Sequence, residues 1–153
     1  MINNDVLRSL RYMLNINDQK IREIVQLADF DLPLADVQDF LRSDDEAGYL
    51  ICDDQFMVHF LDGLIYWKRG RDDQRARVAF EIPVSNNSVL KKLRVAFHLK
   101  EDDMHELLEK GGYRVGRAEL SAFLRKKDHS NYRECGDQVL RYFLKGLTLR
   151  LRG

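Results

Sequence analysis

The chain has 153 residues, of which 44% are hydrophobic and 33% charged, the balance of a water-exposed globular fold rather than a disordered one. No apolar run approaches the roughly 18 residues of a transmembrane helix, and MINNDVLRSL at the start lacks the apolar core of a signal peptide, so the expectation is no membrane and a cytoplasmic location. Two cysteines, Cys52 and Cys135, supply neither a disulfide framework nor a four-ligand zinc site, which suits a reducing compartment.

The predicted elements follow from apolar residues recurring at steps of three and four, with punctuation between the runs. The first helix carries Val6, Leu7, Leu10 and Leu14, with Asn4 or a neighbour as its N-cap. The second carries Ile21, Ile24, Val25 and Ala28; the third carries Leu34, Val37, Phe40 and Leu41, with Pro33 at its first turn. The fourth is the most apolar, with Phe56, Met57, Phe60, Leu61 and Leu64. Residues 71–85, RDDQRARVAFEIPVS, then turn from polar to apolar, and the apolar half is expected to lie extended across a module.

From residue 86 the same succession returns. Val89, Leu90, Leu93 and Phe97 mark a fifth helix capped near Asn87, and Met104, Leu107, Leu108 and Gly111 mark a sixth. Leu120, Phe123 and Leu124 lie on a seventh, and Val139, Leu140, Phe143, Leu144 and Leu147 on an eighth. Residues 3–70 and 86–153 align without a gap, and 22 of the 68 aligned positions are identical, which establishes a tandem duplication. NNDVLRSLR at 3–11 faces NNSVLKKLR at 86–94, DFLR at 39–42 faces AFLR at 122–125, and Cys52 faces Cys135. Gly63 and Gly146 lie inside the last helix of each copy, where glycine costs about 1 kcal/mol against alanine, so a close helix crossing is expected there. The fold expected is all-α: a first helical repeat at 1–70, a connecting segment at 71–85 and a second repeat at 86–153. The two four-helix modules are expected to pack as one compact body with pseudo-twofold symmetry.

The zero net charge conceals an asymmetry. The first repeat holds 7 basic and 13 acidic side chains, and the second holds 15 and 9, so their net charges are about six negative and six positive. Taken together, NNDVLRSLR, the FLR of the third helix and the FLxGL of the fourth, each present twice, resemble the bacterial YehS family. That resemblance covers essentially the whole chain and implies a small cytoplasmic protein with a duplicated domain of unknown function. It brings no catalytic or binding residues with it.

The sharpest functional suggestion in the residues is a helix-turn-helix across 104–127, with Gly111 or Gly112 in the turn and Arg114, Arg117, Arg125, Lys126 and Lys127 as nucleic-acid or anion contacts. The corresponding stretch of the first repeat is acidic, with Asp31, Asp36, Asp39, Asp44 and Asp45, so a two-site DNA reader is not expected. Tyr66, Trp67, Arg69 and Arg71 put aromatics beside cations at the end of the fourth helix, either to stack bases or bind a partner protein, or as a helix end whose Trp67 closes the core or the module interface. The opposite charges of the repeats suggest docking of one on the other, within the chain or between copies.

Signals for chemistry are weak. A helix N-terminus favours the thiolate but the carboxylates beside each cysteine oppose it, so small, partly buried cysteines are expected rather than nucleophiles. His59, His98, His105 and His129 form no metal-binding spacing, and no metal or cofactor is expected. There is no P-loop and no GxSxG, and GGYRVG at 111–116 follows no strand. The reading is a non-enzymatic protein-interaction or adaptor module; the alternative is nucleic-acid binding through the basic second repeat.

Overall fold

The computed structural model describes residues 1–71 and 82–153, and the chain divides into two compact units, Met1–Val84 and Ser85–Gly153. Among the described residues every regular element is a helix. The first unit holds α1 (Asn3–Leu14), α2 (Asp18–Leu27), α3 (Leu34–Phe40) and α4 (Asp54–Arg69). The second holds α5 (Asn86–Ala96), α6 (Glu101–Gly111), α7 (Arg117–Leu124) and α8 (Asp137–Arg152), each in register with its counterpart to within one residue. Residues 72–81, including most of the apolar stretch expected to lie across a module, are outside the described residues. Just beyond them, the Val84 N–H donates to Asp54 Oδ2 at 3.2 Å.

Local chemistry fixes the helix ends. Asn17 and Asp53 cap α2 and α4 through their side chains, and Ser85 forms a capping box with Ser88 at α5. Pro33 sits at the cap position of α3, one residue ahead of the first turn where the sequence pattern puts it. After α2 and α6 the chain reverses through a left-handed residue, Asp29 in one unit (φ 62°) and Gly112 in the other (φ 108°). Aspartate is among the few non-glycine residues that take this conformation without large strain, so both repeats keep the turn.

Each unit is built on a crossing of its second and fourth helices, α2 with α4 and α6 with α8. The expected role of the paired glycines is what the structure shows. A Cβ at Gly63 would overlap the Ile24 carbonyl, and one at Gly146 would overlap the Leu107 carbonyl. In the second unit Gly111, which stands where the first has Ala28, adds a further close approach, to the Tyr142 carbonyl. The backbones touch there, and Phe56, Phe60, Phe123 and Phe143 fill the space around the crossings with side chains that are at most 2% exposed. Burial of each such ring contributes on the order of 2–3 kcal/mol.

Asn4 and Asn87 are not N-caps. The cap residues are Ile2 and Ser85, and the two asparagines lie inside the first turns of α1 and α5, buried to 0% and 2% exposure. Asn4 Nδ2 donates to the carbonyls of Phe40 (3.0 Å) and Leu50 (2.9 Å), while its Oδ1 accepts the Cys52 N–H at 2.9 Å. Asn87 repeats the pattern with Phe123 (3.0 Å), Arg133 (2.8 Å) and Cys135 (2.8 Å). Beside them, Asn3 donates to the Cys52 carbonyl and Asp54, and Asn86 to the Cys135 carbonyl and Asp137. An amide buried here satisfies three backbone groups at once, a use that outweighs a single cap bond.

Three stability predictions rest on this framework. Asn4→Ala leaves two carbonyls and one N–H buried without partners, and is expected to cost roughly 3–5 kcal/mol in urea unfolding monitored by circular dichroism. Gly146→Ala is expected to cost at least about 2 kcal/mol in the same assay, because a carbonyl rather than a flexible side chain must move. Gly136→Ala, where an added Cβ meets nothing within 4 Å, should stay within about 0.5 kcal/mol of the parent.

Candidate functional site

The second unit presents its free charge where α7 ends. Arg125 is extended (φ −76°, ψ 164°), which stops the helix and turns the chain into the segment leading to α8. Hydrogen bonds from the His129 N–H to the Lys126 carbonyl and from the Tyr132 N–H to the His129 carbonyl tighten this segment. The Arg133 N–H to the Ala122 carbonyl and the Asn87 amide to the Arg133 carbonyl then pin its far end. Arg125, Lys126 and Lys127 are left exposed.

The first unit shows what this position looks like when it is neutralised. Arg42, the counterpart of Arg125, pairs with Asp39 at 2.8 Å and with Glu46 at 3.7 Å, and Asp39 holds its guanidinium above the usual arginine range. The second unit keeps the arginine and replaces both acids, with Ala122 for Asp39 and His129 for Glu46. Among the described residues no carboxylate pairs with Arg125. The neighbouring chain changes mostly in the same direction: Lys126 replaces Ser43, Lys127 replaces Asp44 and Arg133 replaces Leu50, while Glu134 replaces Ile51 and Asp128 keeps the acid of Asp45.

An open groove of about 890 Å³ runs along α7 here, lined by Ala118, Glu119 and Ala122 together with Arg125, Tyr132 and Arg133. A second groove of about 710 Å³ shares Ser121, Arg125 and Ser130 with it and adds the cations Arg94 and Lys126 and the acids Glu101 and Asp128. Arg133, Ser130 and Arg94 were not evident as site residues from the sequence alone. The exchange of Leu50 for Arg133 between the aligned repeats was the signal that could have found the first of them.

The five cations singled out from the sequence do not form one patch. Arg125, Lys126 and Lys127 stand together, but Arg117 lies at the other end of α7, about 12 Å away along the helix axis, and is paired with Asp102. Arg114 is exposed in the turn before α7. A helix, a left-handed glycine and a second helix are present as expected. The α7 side chains, however, are Ala118, Glu119 bonded to Tyr113, Ser121 bonded to Glu101, and Ala122, which offer little to base edges.

Tyr66, Trp67 and Arg71 are turned toward their own unit. The Trp67 ring lies between Lys20 (4.9 Å) and Lys68 (4.2 Å), and Arg71 stacks on Tyr66 at 5.3 Å. Arg71 also donates to the Leu27 carbonyl at 3.2 Å and pairs with Asp29 at 2.8 Å, so this cluster fastens the end of α4 to α2. Arg69, the last residue of α4, is exposed beside it.

Both cysteines are buried, Cys52 to 2% and Cys135 to 5% exposure. Burial, reinforced by Asp53 and Asp54, drives the Cys52 thiol far above the usual range, and burial with Asp137 pushes Cys135 up to about 12. Such shifts favour the protonated thiol at neutral pH. Two of the histidines lie against backbone carbonyls: His105 Nε2 is 2.8 Å from that of Val115 and His59 Nδ1 is 2.7 Å from that of Gln55. Among the described residues, no three His, Cys, Asp or Glu side chains are grouped to hold a metal, and no helix is long and apolar enough to cross a membrane.

Comparison with known proteins matches the two units separately. The family described as "Protein of unknown function (DUF1456)" is matched twice, at residues 3–70 and 86–153, the boundaries of the repeat. The "Uncharacterized protein YehS" of Escherichia coli (strain K12) is 45% identical over 150 residues, covering 98% of this chain and 96% of that one, in keeping with the resemblance read from the repeated motifs. No solved structure matches the chain.

The buried thiols give a pH test. Because the folded state raises the thiol pKa above its ordinary value near 9, the unfolded chain releases these protons first. Stability is therefore expected to be full below pH 9 and to fall as pH rises from 9 towards 12. A Cys52→Ala, Cys135→Ala double variant should flatten that alkaline limb in denaturant titrations, and in the parent both thiols should react with a thiol reagent only on unfolding.

Proposed function

The chain thus belongs to the DUF1456 family, and we propose that it is a non-enzymatic interaction protein whose second unit docks an acidic protein surface. The observation that carries this reading is the release of Arg125: the same backbone folds in the first unit with that arginine held by two carboxylates, and the second unit has dispensed with both. Folding does not require the free cation, since the first unit does without it. Lys126, Lys127 and Arg133 add to the local field, which steers an acidic partner and selects against a basic one. Ala118 and Ala122 supply an uncharged strip on which such a partner makes close contact.

A second reading, contact with the phosphate backbone of a nucleic acid, is favoured by one feature: Ser130, Asn131 and Arg133 stand beside Arg125 as hydrogen-bond donors. The side chains of α7 argue against base reading, and the acidic first unit argues against a long duplex.

Fluorescence anisotropy with three labelled probes, an Asp/Glu-rich peptide, duplex DNA and single-stranded RNA, at low and near-physiological salt, tests both readings. The expected result is binding of the peptide that weakens at least tenfold in Arg125→Glu, Lys126→Glu, Lys127→Glu and is unaffected by Arg11→Glu in the first unit. Tight binding of DNA or RNA with a steep salt dependence, lost in the same triple variant, gives the surface to nucleic acid instead. Binding indifferent to the triple variant defeats both.

A further inference from the structure

The first unit carries, at the position equivalent to the cationic segment, a feature of opposite character. Leu50 is 41% and Ile51 71% exposed, two large apolar side chains adjacent in the chain and preceded by the exposed acids Asp44, Asp45 and Glu46. The backbone under them is fixed rather than floppy. The Leu50 N–H donates to the Asp39 carbonyl at 3.2 Å, the Leu50 carbonyl accepts from Asn4, and the Cys52 N–H donates to Asn4. An apolar tip held in this way loses little conformational entropy on binding.

Tip and groove do not occur in the same unit. The second unit has Arg133 and Glu134 where the first has Leu50 and Ile51, so it lacks the tip. The first unit has Asp39 where the second has Ala122, and its Arg42 is held against Asp39 and Glu46 where no carboxylate pairs with Arg125, so it lacks the Ala118 and Ala122 strip flanked by the cations Arg125 and Arg133, whose one acidic lining residue is Glu119. The charges are also matched, about six negative on the first repeat and six positive on the second.

Resting on the reading that the second unit takes an acidic partner, we propose that this partner is a second copy of the same chain, whose first unit inserts Leu50 and Ile51 along Ala118 and Ala122 while Asp44, Asp45 and Glu46 meet Arg125, Lys126 and Lys127. The contact is heterologous. Two copies that make it reciprocally close a pair and cancel each other's charge, whereas a single contact per copy builds a chain. The apolar pair is the anchor, and the surrounding charges set orientation and on-rate. A patch of this size gives a weak association, read at protein concentrations on the order of 100 µM.

Sedimentation velocity on the full chain tests this at about 50 mM and about 500 mM salt, where charges separated by more than a few Å are screened. The parent is expected to associate beyond the monomer at low salt and to dissociate at high salt. Ile51→Glu, Arg125→Glu, Lys126→Glu, Lys127→Glu and Asp44→Lys, Asp45→Lys, Glu46→Lys should each be monomeric with an unchanged circular dichroism spectrum, because all these side chains are exposed. Mixing the two triple variants should restore association, since each then offers the charge that the other lacks. A parent that is monomeric under every condition, or a mixture that fails to associate, overturns the proposal. If the Asp/Glu-rich peptide still binds through Arg125 in that event, the docking function stands with a different protein as its partner; if the peptide does not bind, both readings fall.

Discussion

Two buried asparagines hold the three-dimensional arrangement together. An amide side chain taken out of water is costly unless its hydrogen bonds are replaced, and Asn4 and Asn87 replace them with the backbone of segments about 36 to 48 residues away. Each links the start of its unit's first helix to the end of the third and to the segment entering the fourth. That segment has no regular structure of its own, and the amide is what gives it a fixed path. The feature matters beyond stability, because the carbonyl bonded to Asn4 belongs to Leu50 and the one bonded to Asn87 belongs to Arg133. The same interaction therefore presents an apolar tip in one unit and a cation in the other.

The duplication provides an internal comparison of what the fold requires and what it tolerates. Preserved in both copies are the paired asparagines, the buried cysteine whose N–H they bind, and the glycine that lets the second and fourth helices meet backbone to backbone. These positions have packing or hydrogen-bonding duties that no other residue type meets without a shift of the backbone. Positions that diverge lie mainly on the outside, where a change of sign costs little in folding. The core also tolerates some exchange: Phe56 is replaced by Val139 and Ala28 by Gly111, with both units keeping the same crossing.

The two units differ at the end of the third helix chiefly in charge. An arginine common to both units loses two acidic neighbours in the second while gaining Lys126, Lys127 and Arg133 around it. The first unit retains the acids and gains exposed Leu50 and Ile51. One scaffold thus carries surfaces of opposite character in its two copies, while both keep a buried cysteine at the same place.

Much of this was legible from the residues alone. Gap-free alignment of the two halves gave the repeat, the three-and-four spacing of apolar residues gave eight helices, and glycine within an apolar helix gave the close crossing, because each of these is a local or periodic constraint written directly into the chain. The charge asymmetry was legible for the same reason, as a simple count. Other features depended on which distant groups come together. An asparagine at the start of a helix reads as a cap, and only the fold brings the Phe40 and Leu50 carbonyls within reach of its amide. Five cations near one helix read as one patch, and only the fold separates them by the length of α7 and gives Arg117 to Asp102. Tyr66, Trp67 and Arg71 read either as a binding surface or as a helix end that closes the core, and only the fold supplies Lys20, the Leu27 carbonyl and Asp29 of their own unit as partners. Sequence determined the periodic and composition-borne properties of this protein, whereas burial, pairing and free charge were decided by tertiary structure, because these are properties of residues far apart in the chain meeting in space.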